Sequence, residues 1–145
     1  MKIVSIAALA LVGSLLSSAG MAADLSAERI RSLVAAANEA GNRMMMRGST
    51  AADVDAVFAH YSPEFEYVHE VYGGRYSREQ LLRNSLRNQE AGRFRLEQPR
   101  YQIRQILVGL NAAAVERVEQ PSGQVHLSVF EFKGDKISKI TEYWK

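Results

Sequence analysis

The sequence predicts an α+β domain, with a curved, mostly antiparallel β-sheet wrapped around three N-terminal and central helices to form a cone with a pocket. Three observations carry this. From about Tyr101 to Lys145 the chain reads almost entirely as strand. Turn signals break that stretch at Gly109–Leu110–Asn111, Pro121–Ser122–Gly123 and Gly134–Asp135. Ahead of it lie two helical segments, a short strand over Phe65–Glu70 and a third helix over Arg78–Glu90. Helices first and a long antiparallel sheet last suit a sheet that curls around a helix.

The first helix is expected over Ser26–Arg47. Ile30, Leu33, Val34, Ala37, Gly41 and Met44 recur at helical spacing, and Ser26 supplies an N-cap. The run Met44–Met45–Met46 is too wide for one stripe, so one of these flexible side chains is expected to line an adaptable part of the core or pocket. Gly48 ends that helix. Thr50 and Asp53 form the pattern of a capping box. The second helix that they open carries Val54, Val57, Phe58 and Tyr61 on its apolar face, and Pro63 is expected to stop it.

The first strand places Phe65, Tyr67 and His69 on one face. Gly73–Gly74 turns the chain into a short strand at Arg75–Tyr76, and Ser77 with Gln80 caps the third helix. Its Leu82, Ser85, Leu86 and Gln89 face the core, with Arg83 and Arg87 opposite. Four strands follow, over about Arg100–Val108, Ala112–Gln120, Val125–Lys133 and Lys136–Trp144, and their short turns imply antiparallel neighbours. Both faces of the third of these are apolar, with Val125, Leu127 and Val129 on one and Phe130 and Phe132 on the other. A sheet with a solvated face alternates more cleanly, so the second face is expected to meet a homodimer partner. Ile137 and Ile140 differ in parity, and a single bulge there reverses which face a residue takes.

Residues 1–22 are read as a secretory signal peptide and 23–145 as one domain. Lys2 gives a positive start. Ile3–Leu16 is an apolar run too short to span a bilayer comfortably, and the small residues after it allow cleavage after Ala22 or Ala23. The expected location is therefore periplasmic or secreted, with no membrane association after cleavage. The chain has no cysteine, which excludes thiol catalysis and thiolate metal sites and leaves stability to the hydrophobic core. Between Arg75 and Arg104 eight arginines face three glutamates, a net +5. They spread over a helix, a loop and a strand rather than one face, and no nucleic-acid partner is expected.

Two passages, Phe58–His69 and Gly73–Leu81, resemble the nuclear transport factor 2-like superfamily, and its SnoaL-like branches look nearest. Phe130–Ile137 and Ile140–Trp144 are similar to that superfamily's final hairpin. The resemblance implies three helices packed in a cone-shaped sheet with a pocket at the open end. The superfamily includes ketosteroid isomerases, scytalone dehydratases, polyketide cyclases, limonene epoxide hydrolases and non-catalytic binders, so fold alone does not give the reaction. Ketosteroid isomerases use a Tyr on the first helix and an Asp on the first strand beside a protonated Asp. Here the first helix has no Tyr, and the only Asp residues are Asp24, Asp53, Asp55 and Asp135, none of them on that strand. The His and Tyr set of scytalone dehydratases is matched loosely by His69, His126 and the tyrosines.

Strand alternation nominates the pocket residues. Tyr67 and His69 follow Phe65; Glu116 lies between Ala114 and Val118; His126 precedes Phe130; and Glu142 lies between Ile140 and Trp144. If those faces are concave, His69, Glu116, His126 and Glu142 converge near Tyr67, Tyr72 and Tyr76. A histidine beside a carboxylate can move a proton and a tyrosine can hold an oxyanion, so His69, Tyr67 and Glu116 are the catalytic candidates. The expected ligand contacts are Tyr67, His69, Tyr72, Tyr76, Glu116, His126, Phe130, Glu142 and Trp144. Plainer roles stand beside these: Glu116 as an ion-pair partner of Arg104 or Arg117, His126 at an interface, and Trp144 as packing. His60, His69 and His126 lack zinc spacing, so no metal and no cofactor is expected. The first reading is an exported domain that binds a small apolar or amphipathic molecule without established catalysis. A cofactor-independent lyase, isomerase or cyclase and a protein-interaction module acting through the outer sheet face are the alternatives.

Overall fold

A computed structural model describes residues 23–145; the signal-peptide expectation for 1–22 lies outside the described residues. Helices α1 (Ala27–Met45), α2 (Ala51–Phe58) and α3 (Arg78–Glu90) combine with strands β1 (Tyr61–His69), β2 (Gly74–Ser77), β3 (Tyr101–Gly109), β4 (Ala112–Glu119), β5 (Val125–Lys133) and β6 (Lys136–Glu142). The sheet order is β2-β1-β6-β5-β4-β3. Every pairing is antiparallel except β1 with β6, which is parallel. The sheet is curved and does not close. Register shifts interrupt β1–β6, β3–β4 and β5–β6, and such irregularities bend strands. The shift in β5–β6 pairs Phe132 with Ile137 but Glu131 with Lys139, leaving Ser138 over. Ile137 and Ile140 can then both face inward, and both are buried.

The inner face of the sheet packs on α1. Ile30, Leu33, Val34 and Ala37 meet Phe65, Ala113, Val115, Phe130, Phe132, Ile137 and Ile140 in one core. A fully buried aliphatic side chain such as Ile30 or Val115 stabilises the fold by about 1.5–3 kcal/mol. A second cluster joins Val54, Val57 and Phe58 of α2 to Leu81, Leu82 and Leu86 of α3. No residue of α3 is fully buried, so this helix caps the cone rather than filling it.

Three boundaries differ from expectation. Helix α1 stops at Met45 because the chain there pairs with the Leu96 segment, through Leu96 N–H to Met45 O and Arg47 N–H to Leu96 O. Pro63 does not stop α2, which ends at Phe58; it lies inside β1. Its missing N–H falls between the Tyr61 and Glu66 register points, before the stretch that β2 pairs, so no ladder bond is lost. Tyr61 therefore belongs to the sheet, where its ring stacks 3.9 Å from that of Phe65. Strand β6 ends at Glu142, which leaves Trp144 beyond the ladder.

Candidate functional site

Between α1, the first turn of α3 and the inner sheet face lies a cavity of about 380 Å³. Its apolar wall includes Ala37, Val57, Leu81, Phe130 and Ile140, with Met44 and Met45 toward the helix side. Its polar groups are those of Asn38, Asn42, Tyr61, Tyr67, Arg100, Tyr101, Arg117, Glu142 and Trp144.

A closed ring of contacts organises the polar end. Arg117 Nη2 donates to Glu142 Oε1 at 2.9 Å and to Ser128 Oγ at 2.7 Å. Glu142 Oε2 accepts from Ser128 Oγ at 2.5 Å and from Trp144 Nε1 at 2.6 Å. The Trp144 indole stacks on His126 with centroids 3.9 Å apart and planes at 5°. The Tyr101 hydroxyl and His126 Nδ1 lie 3.1 Å apart, and the Arg117 guanidinium sits 4.3 Å over the Tyr101 ring. Strand register explains the ring. Ser128 lies opposite Glu142 across β5–β6, and Arg117 lies opposite His126 across β4–β5. All four side chains thus share the inner face.

Helix α1 fixes the near side of the ring. Asn42 Nδ2 donates to Tyr101 O, and Tyr101 N–H donates to Asn42 Oδ1, both at 2.8 Å. The amide thus acts as a strand partner for the backbone at the start of β3. Asn38 Nδ2 reaches the same carbonyl at 3.3 Å.

No protein-family model and no curated protein matches the chain. Solved structures do. The chain is similar to a nuclear transport factor 2-like protein of unknown function from Burkholderia xenovorans LB400, at 24% identity and TM-score 0.58, over 80% of this chain and 82% of that one. It is similar to a SnoaL-like protein of unknown function from Burkholderia thailandensis E264, at 18% identity and TM-score 0.60, over 83% of this chain and 98% of that one. A hypothetical protein with a ketosteroid isomerase-like fold from Catenulispora acidiphila DSM 44928, in complex with trimethylamine, matches at 16% identity and TM-score 0.56, over 78% and 85% of the two chains. The chain has the nuclear transport factor 2-like fold.

Within this fold, burial sets the protonation of the wall. It pushes the Tyr61 phenol up to about 12 and raises Tyr67 and Tyr101 as well. All three therefore keep their protons at neutral pH. Burial lowers the His126 pKa, favouring the uncharged ring. Two polar atoms of lining residues are buried without a partner, Arg117 Nε and Asn38 Oδ1.

The structure gathers part of the expected site. Tyr67, Phe130, Glu142 and Trp144 line the cavity. His69 and His126 are buried but not among the lining residues, and both rings contact Trp144; the His69 ring meets the indole edge-on at 4.6 Å. His69 Nδ1 accepts from the Tyr72 N–H at 3.4 Å, and the Nε2 atoms of both histidines lack a partner. Tyr72 is 66% exposed and only covers His69. Tyr76 sits opposite Tyr67 on the edge strand with its ring 6.3 Å away, outside the lining.

Glu116 is a correction. It shares the outer face with Leu107 and Leu127 and pairs with Arg104 at 3.3 Å. On β4 the buried positions are Ala113, Val115 and Arg117, the opposite parity. The expected His69, Tyr67 and Glu116 trio is not assembled.

Sequence reasoning missed Arg117, Tyr101, Asn38 and Asn42 as wall residues. Two signals existed. Asn38 and Asn42 are i, i+4 neighbours beside the apolar stripe of α1, and Arg117 continues the alternation of Ala113 and Val115.

Proposed function

We propose that this is an exported domain that binds one small, largely apolar molecule in the cone cavity and performs no chemistry that needs a free base there. The observation that carries this reading is the state of the one carboxylate on the wall. Glu142 already accepts from Arg117, Ser128 and Trp144, so it has little capacity left to abstract a proton. The remaining lining is aliphatic and aromatic with a few convergent polar groups, which suits ligand binding. The two histidines that would serve a lyase or isomerase are buried against Trp144 and do not line the cavity. Export rests on the sequence of residues 1–22.

The test uses N-phenyl-1-naphthylamine, an uncharged probe that fluoresces in apolar surroundings. Gly41 borders the cavity on α1, and a Cβ added there meets no atom within 4 Å. Gly41→Leu should therefore fill the cavity without breaking the helix. Replacing a helical glycine also favours folding by about 1 kcal/mol. The expected result is saturable one-to-one binding by the natural chain and its loss in a Gly41→Leu variant that melts no lower. Binding that survives this substitution would place the probe on the surface and refute the reading.

A further inference from the structure

All the methionines of residues 23–145 stand in one run, Met44–Met45–Met46, at the end of α1. Met44 and Met45 line the cavity, and both side chains are half-buried. Their settings differ. Met44 packs on the apolar cluster of Val54, Val57 and Phe58. Met45 Sδ instead accepts from Arg100 Nη1 at 3.9 Å. Arg100, itself a lining residue, is fixed just before β3. Its Nε donates to Glu119 Oε1 at 2.8 Å, and its Nη2 lies 2.7 Å from the same oxygen. A thioether is a weak acceptor, so the third nitrogen of a charged guanidinium is left facing a poor partner.

We infer that Met45 is an oxidation site whose sulfoxide is held by Arg100 and closes the cavity to apolar molecules, an inference that rests on the binding function proposed above. The oxidant is a peroxide. A sulfur lone pair of Met45 attacks one oxygen of hydrogen peroxide, the S–O bond forms and the O–O bond breaks. The departing hydroxide takes the proton from the transferred oxygen and leaves as water. Sulfur gives up an electron pair, and the peroxide is reduced to water. The guanidinium steadies the charge on the departing hydroxide, so Met45 reacts ahead of Met44. The sulfoxide oxygen is a much stronger acceptor than the thioether, and the flexible side chain turns it onto Arg100 Nη1. Met44, among apolar side chains, has no such donor beside it. A polar oxygen then stands where the wall was apolar, and seating an apolar ligand against it costs desolvation. The change is reversible, because methionine sulfoxide can be reduced.

The natural chain, treated with hydrogen peroxide and then catalase, is read in two ways. One is its affinity for N-phenyl-1-naphthylamine; the other is fragmentation mass spectrometry of the tryptic peptide Met44–Arg47. Oxygen should appear on Met45 before Met44, and affinity should fall about tenfold as it does, with a native circular dichroism spectrum. Methionine sulfoxide reductase with a thiol reductant should remove the oxygen and restore the affinity, a reading that needs no variant. Met45→Leu conserves volume and, whatever its starting affinity, should show no further change on peroxide treatment. Arg100→Leu should erase the lead of Met45 over Met44. An unchanged affinity once Met45 carries oxygen, a loss that persists in Met45→Leu, unfolding on oxidation, or a lead that survives in Arg100→Leu would each overturn the inference while leaving the binding function standing. No saturable probe binding before treatment would overturn both.

Discussion

Arg117 and Glu142 pair at the polar end of the cavity, and they differ in how they read in the sequence. Glu142 sits between Ile140 and Trp144, so its place on an inward face was legible. Arg117 lies between Glu116 and Val118 in a strand where apolar side chains occupy both parities, Ala113 and Val115 on one and Ala114 and Val118 on the other. Local alternation cannot choose between those faces; only the pairing of Arg117 with His126 across β4–β5 does. Alternation with Ala114 and Val118 therefore points Glu116 inward, against its observed place on the outer face. His126 makes a testable residue-level case. Its folded pKa is lowered, chiefly by burial, and His60 is lowered too, by burial and by Lys136. The unfolded chain therefore binds more protons, so stability is full above the ordinary histidine value of about 6.5 and is lost as pH falls through the lowered folded values. The melting temperature should drop between pH 8 and pH 5, and His126→Phe should flatten that drop, with His60 retaining part of it. A slope identical in the variant would show that His126 is not the linked group.

At the scale of elements, helices and hairpins were legible because their signals are local. The capping pattern at Ser77 appears as paired bonds with Gln80, and the later turns fall at their glycines and at Asn111, which has positive φ. What was not legible depends on contacts remote in sequence. The early end of α1 is set by the Leu96 segment, and the accommodation of Pro63 is set by the register of β1 on β6. The bracket that Asn42 forms on Tyr101 is of this kind, joining residues 59 apart. Asn42→Ala should leave the buried Tyr101 N–H without its side-chain acceptor and its C=O with only the 3.3 Å bond from Asn38, and cost about 1–3 kcal/mol, read in urea denaturation. Because β3 carries Tyr101 to the cavity, the same variant should also weaken probe binding. A loss of stability within about 0.3 kcal/mol of zero would mean that Asn38 or water substitutes for it.

For the whole molecule, the order of helices and strands foretold a curved sheet wrapped on helices, because that order leaves one long sheet to bury its inner face on α1. The outer face, expected to meet a second copy, carries exposed Leu107, Val125 and Leu127. A homodimer through this face remains our proposal, and its mass appears in the same measurement as the ligand. The cavity could not be located from sequence, because its volume is what remains after α1, α3 and the sheet have packed at their particular angles. The central claim is that this volume holds a small molecule. Native mass spectrometry of the chain recovered from the periplasm, to which we propose it is exported, is the decisive experiment. The expected result is a chain beginning after Ala22 or Ala23, a dimer, and one small molecule per chain that the Gly41→Leu variant does not retain. A natural chain at its bare sequence mass, or an adduct held equally by Gly41→Leu, would contradict it.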